Sequence, residues 1–99
     1  MGRRESAIQA SIIAYLRGLP GAYVVNYGGS AAGAKGTPDL LVCYKGRFIG
    51  IELKRPDSTY GLTPTQRIRL RQIESAGGVG LEAESLEDVV DLIKRLESL

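Results

Sequence analysis

Histidine and tryptophan are absent from the 99 residues, and cysteine, methionine and phenylalanine occur once each. Losing histidine removes the commonest general base and metal-binding side chain at neutral pH. It also excludes a zinc finger or a serine–histidine triad. One cysteine allows no internal disulfide, which fits a reducing compartment. Cys43 falls inside an expected strand and reads as a small buried hydrophobe rather than a nucleophile. No apolar run approaches membrane-spanning length and no secretory leader is visible, so the expectation is a soluble cytoplasmic protein without a membrane partner. Charge of one sign is also scarce: the net value is +2. That is too little to argue for nucleic acid by itself, although Arg67, Arg69 and Arg71 crowd one expected helix and the guanidinium fork suits phosphate. The length suits a single domain over residues 1–99 with a modest core, which oligomerisation would help to stabilise.

What is present concentrates in residues 36–54. Leu40 to Tyr44 and Phe48 to Leu53 read as two strands around a tight turn at Lys45-Gly46. A two-residue loop pairs Tyr44 with Arg47, and counting back in register sets Asp39 opposite Glu52. Their β-carbons would then lie roughly 5 Å apart. Lys54, two residues beyond Glu52, points to the same face. Alternation puts Leu40, Val42, Tyr44, Ile49, Ile51 and Leu53 on one face. Leu41, Cys43, Phe48 and Gly50 share the other with Asp39, Glu52 and Lys54. Two close carboxylates repel unless one keeps a proton or a cation sits between them. Asp39 and Glu52, with the Leu53 backbone carbonyl, are hard oxygen donors suited to Mg2+ or Mn2+. Lys54 would stabilise developing negative charge or position a water. The plainer reading makes Asp39 a strand-start residue after Pro38, and Glu52 and Lys54 the wet side of an edge strand. The partly apolar company on that face speaks for the site.

The remaining elements follow from periodicity and caps. Residues 3–17 form an amphipathic helix with Ile8, Ile12 and Leu16 inward, joined by Ala7 and Tyr15. Glu5 lies in its first turn, where the helix dipole alone accounts for it; the functional reading is a metal-site carboxylate. Ala22 to Tyr27 is a short strand. The glycine-rich loop from Gly28 to Thr37 lacks the Gly-Lys-Ser/Thr ending of a nucleotide cradle and enters a strand rather than a helix, so no nucleotide cofactor is expected. Lys35 could instead touch the phosphates of a polynucleotide, or the loop could be a connector. Thr63, Pro64 and Gln66 start a helix that runs to about Ala76, with a capping box. Gln66, Leu70 and Ile73 share its inward face, so Gln66 serves either the cap or the hairpin site. Val79 to Ala83 is a strand. Ser85 caps a last helix to about Leu96, with Val89, Ile93 and Leu96 inward; Val90 and Leu92 widen its apolar surface and offer a dimer patch, and the final residues fray. The order implies an α/β fold, a central mixed sheet flanked by helices.

Gly36-Thr37-Pro38-Asp39 followed by Ile51-Glu52-Leu53-Lys54 resembles the two central motifs of the PD-(D/E)xK nuclease superfamily. The surroundings resemble its VRR-NUC family, in particular small stand-alone members of bacteria and bacterial viruses that look like Holliday-junction resolvases. Glu5 matches the acidic residue of the family's first helix, Asp39, Glu52 and Lys54 its catalytic core, and Gln66 the glutamine of its next helix. The resemblance covers nearly the whole chain. It implies a small restriction-endonuclease-like fold and a Mg2+-dependent DNA endonuclease, with Mn2+ as substitute. It further implies a homodimer acting on four-way junctions in the cytoplasm of a bacterial cell or of a virus's host. Lys35, Arg55, Arg67 and Arg71 are the expected DNA contacts. The alternative is a non-catalytic nucleic-acid-binding or accessory subunit.

Overall fold

The computed structural model describes residues 3–27, 36–54 and 62–99, with side chains from residue 7 onward. Lys35, Arg55 and the Glu5 side chain, all expected at the site, lie outside the described residues. The element order is α1 (Arg3–Arg17), β1 (Ala22–Asn26), β2 (Leu40–Tyr44), β3 (Arg47–Leu53), α2 (Pro64–Ser75), β4 (Val79–Ala83) and α3 (Leu86–Glu97). This is the expected order, with β1 one residue shorter; Tyr27 N–H still donates to the Asp39 carbonyl at 2.8 Å. Among the described residues no helix is long and apolar enough to cross a membrane.

The sheet runs β1-β2-β3-β4. Its first three strands are antiparallel, and β3 pairs parallel with β4 through the crossover that carries α2. The β2–β3 turn has Lys45 at φ 49° and Gly46 at φ 86°. Positive φ at both positions is the turn whose twist matches a hairpin, and it sets Tyr44 against Arg47 and Leu40 against Ile51. The expected register therefore holds.

The α/β fold is layered around this sheet. On one face Leu40, Val42, Tyr44, Ile49, Ile51 and Leu53 are buried with Ile12 and Leu16 of α1 and Val89, Leu92 and Ile93 of α3. Leu92 thus belongs to the core rather than to an exposed dimer patch on α3, because the whole inward side of that helix is spent on the sheet. Ala7 is exposed and contributes nothing to the α1 stripe. Glu97, expected to fray with the last residues, ends α3, and the Tyr44 hydroxyl donates to it at 2.7 Å. That bond, with burial, raises the Tyr44 pKa.

On the other face α2 lies over β3 and β4. It approaches closely because the paired positions Gly50 and Gly80 carry no side chain. A β-carbon at Gly80 would stand 3.0 Å from the Leu70 carbonyl oxygen, and one at Gly50 would stand 2.5 Å from Ile73 Cδ1. Over β1 and β2 this face is uncovered among the described residues. Cys43, aligned with Tyr23 and Phe48, is accordingly exposed rather than buried. Alternation assigned its face correctly, but the reach of α2 decided its burial.

Candidate active site

Asp39 immediately precedes β2, and Glu52 lies in the neighbouring strand β3. Leu40 pairs with Ile51, so one step along the ladder sets Asp39 beside Glu52. Asp39 Oδ2 accepts the Leu53 N–H at 2.9 Å, which fastens the start of β2 to the end of β3. The Leu53 backbone, whose carbonyl was the expected third ligand, therefore abuts Asp39.

Glu52 is 4% exposed and is the buried charged residue among the described ones. Gln66 Nε2 donates to Glu52 Oε2 at 2.6 Å, while Glu52 Oε1 is buried without a hydrogen-bond partner. The Glu52 pKa is pushed from the ordinary 4.5 up to about 8. Burial is the main cause, followed by the negative charge of Asp39; a backbone hydrogen bond from Asp39 pulls the other way, and Glu82 adds a smaller upward push. An orphaned, buried carboxylate oxygen beside a second carboxylate is the condition a cation relieves. The oxygen donors suit Mg2+ or Mn2+.

Gln66 both caps α2 and reaches Glu52. It closes the α2 capping box with Thr63, its N–H donating to Thr63 Oγ1 at 3.2 Å and its Oε1 accepting the Thr63 N–H at 2.8 Å. Its amide nitrogen remains available for Glu52. Among the described residues no group of three or more His, Cys, Asp or Glu side chains is placed to hold a metal ion.

Lys54 lies on the Glu52 side of β3 but turns toward β4. Its Nζ stands 3.2 Å from Glu84 Oε2 and 3.6 Å from Glu82 Oε2. The sequence reading missed both glutamates. Glu82 pairs directly with Glu52 in the parallel ladder, and only that register, which local periodicity does not contain, could have pointed to it. The arginines of α2 divide. Arg67 and Arg71 are exposed, and Arg71 lines an outward hollow with Ile68 and Ser75. Arg69 instead lines a cleft of about 420 Å3 beside Thr37, Pro38, Leu41, Phe48 and Ile73. That cleft adjoins Asp39 through Pro38. Arg69 also donates to Gln72 at 3.1 Å.

No family model and no curated protein matches the chain. Solved structures do. One described as "VRR_NUC domain" is 26% identical, with a TM-score of 0.72 over 92% of this chain and 95% of that one. Another, described as "VRR_NUC domain protein", is 19% identical, with a TM-score of 0.64 over 96% of this chain and 88% of that one. The chain therefore has a nuclease-related α/β fold, similar over most of its length to VRR_NUC domains.

Proposed function

We propose that a protein with this nuclease-related fold hydrolyses DNA phosphodiester bonds with a divalent cation held at Asp39 and Glu52. The observation that carries the reading is the buried, unpartnered Glu52 Oε1 next to Asp39. Asp39, Glu52 and the Leu53 carbonyl would hold Mg2+ or Mn2+, and Glu5 on α1 would support them. The cation would supply Lewis-acid polarisation of a phosphoryl oxygen and lower the pKa of water. The chain's own groups do the rest. Gln66 fixes the Glu52 carboxylate from one side. Lys54 sets positive charge on the same face, where the phosphorane-like charge develops. A water oxygen bonds to phosphorus, the bond from phosphorus to the 3′ oxygen breaks, the leaving oxygen takes a proton, and the water's proton passes to solvent. Lys35, Arg55, Arg67 and Arg71 would grip phosphates, which gives affinity without sequence readout.

We further infer a homodimer on branched DNA. One site cuts one strand, whereas a two-fold pair matches the approximate symmetry of a four-way junction. The test is a matched comparison of four-way junction, flap, splayed duplex and linear duplex under Mg2+ and Mn2+, alongside a solution mass. Glu52→Gln and Asp39→Asn should fold and lose cutting; full activity in either sinks the assignment. Lys54→Ala should lose rate while metal affinity holds. Equal rates on plain duplex, or a cleaving monomer, would remove the junction reading alone. The alternative reading is a non-catalytic DNA-binding subunit. Its signature is binding that persists in chelator, with no cleavage in any metal.

A further inference from the structure

Lys54 is the cation nearest in sequence to the buried carboxylate, yet it is not paired with it. Glu52 and Lys54 are two residues apart on one strand face, about 7 Å along β3. A lysine's flexible four-carbon stem reaches that distance readily. A buried oxygen left without a hydrogen-bond partner is costly, and an N–H donor within reach would relieve it. The Lys54 ammonium nevertheless sits 3.2 Å from Glu84 and 3.6 Å from Glu82, whose side chains are 54% and 32% exposed. The sheet order gives this a direction. Asp39, just ahead of β2, flanks Glu52 on one side, and the two glutamates draw Lys54 the opposite way, to the β4 side. There Lys54 lines a polar hollow with Glu82, Glu84 and Arg95.

We propose that Glu82 and Glu84 are positioning residues that hold Lys54 toward β4 and so keep Glu52 Oε1 open for a divalent cation. The proposal rests on the metal-site reading above and adds what that reading lacks, a reason why the site's own lysine does not close it. Without the two glutamates, the ammonium falls back on Glu52 and competes with the metal for the same oxygen.

The experiment is calorimetric Mn2+ titration of the full chain in four forms: unaltered; Glu82→Gln with Glu84→Gln; Lys54→Met; and all three changes together. Circular dichroism melting checks folding of each. Removing two negative charges weakens cation binding through the field alone, and the Lys54→Met background measures that part. The glutamine pair should weaken Mn2+ about tenfold when Lys54 is present, the scale of one to two exposed ion pairs. In the Lys54→Met background it should do so by no more than about twofold, the scale of a screened field effect. Equal losses in both backgrounds would overturn the proposal, because the glutamates would then act on the metal directly. No loss in either would overturn it too. Failure of the unaltered chain to bind Mn2+ in a way that Glu52→Gln abolishes would instead bring down the metal-site reading, and the proposal with it.

Discussion

A carboxylic acid whose pKa has risen to about 8 makes Glu52 a residue through which pH acts on the fold. Below 4.5, its ordinary value, both the folded and the unfolded chain keep the proton. Between the two values the unfolded chain releases it and the folded chain retains it, so each step up in pH favours unfolding. In metal-free buffer the urea midpoint should therefore fall as pH rises from about 5 to 8, for a total on the order of a few kcal/mol. Glu52→Gln should flatten that slope and leave the chain more stable than the parent at pH 8. A parent midpoint that stays level or climbs over this range would contradict the buried-carboxyl account. Mn2+ added at pH 8 should restore the lost stability, since a ligand of the folded state alone stabilises it by mass action. Gln66 is coupled to the same group. Gln66→Ala removes the donor at 2.6 Å and half of the capping box together.

At the level of elements, α2 packs over β3 and β4 and carries Gln66 to Glu52. It carries no buried residue of its own, yet it is held close because Gly50 and Gly80 offer it backbone instead of side chains. A methyl group at Gly80 would press on the Leu70 backbone, which cannot rotate aside. Gly80→Ala should therefore cost about 1–3 kcal/mol, the range for overpacking a closed contact. It should also lengthen the Gln66–Glu52 bond, because the helix that carries Gln66 must move outward. Chemical denaturation gives the first quantity, and the side-chain amide shift of Gln66 in an NMR spectrum reports the second. An unchanged denaturation midpoint together with an unchanged amide shift would show that α2 is not seated through this glycine pair. The β2–β3 hairpin is held differently, by its turn: Lys45 adopts φ 49°, a region that asparagine enters more easily. Lys45→Asn should stabilise the hairpin by about 0.5 kcal/mol, within the range of turn-residue effects, read as a raised denaturation midpoint.

Across the whole molecule the two faces of the sheet are unequally covered. Among the described residues, one is closed by α1 and α3 and the other only in part by α2. The open part presents Tyr23 at 72% exposure and Phe48 at 45%, with Cys43 aligned between them. Cys43 should accordingly react with a maleimide in the native chain at a rate within a few-fold of that in urea. Strong protection at low protein concentration would mean that this face is covered in solution. Protection that grows with concentration would show a second copy sitting on it. The inward side of α3 offers no such surface, because Val89, Leu92 and Ile93 are already in the core.

The order of elements, the hairpin register, the α2 cap and the two-faced alternation of β2 and β3 were all legible from residues 36–54 and their flanks. Each depends on interactions a few residues apart in the chain: a turn that demands positive φ, a cap that needs an oxygen before the first N–H groups, a side-chain period of two. That was enough to set Asp39 beside Glu52. What the tertiary structure alone decided involves groups brought together by the β3–β4 crossover. The parallel register set Glu82 across from Glu52 and gave Lys54 its partners. The rotation of α2 about its axis turned Arg69 toward the cleft and left Arg71 outside. The breadth of α2 left Cys43 in solvent. Parallel pairing and helix rotation are set by packing between segments about 30 residues apart, and no local pattern encodes such a fit, because it depends on which side chains are missing, as at Gly50 and Gly80, as much as on those present.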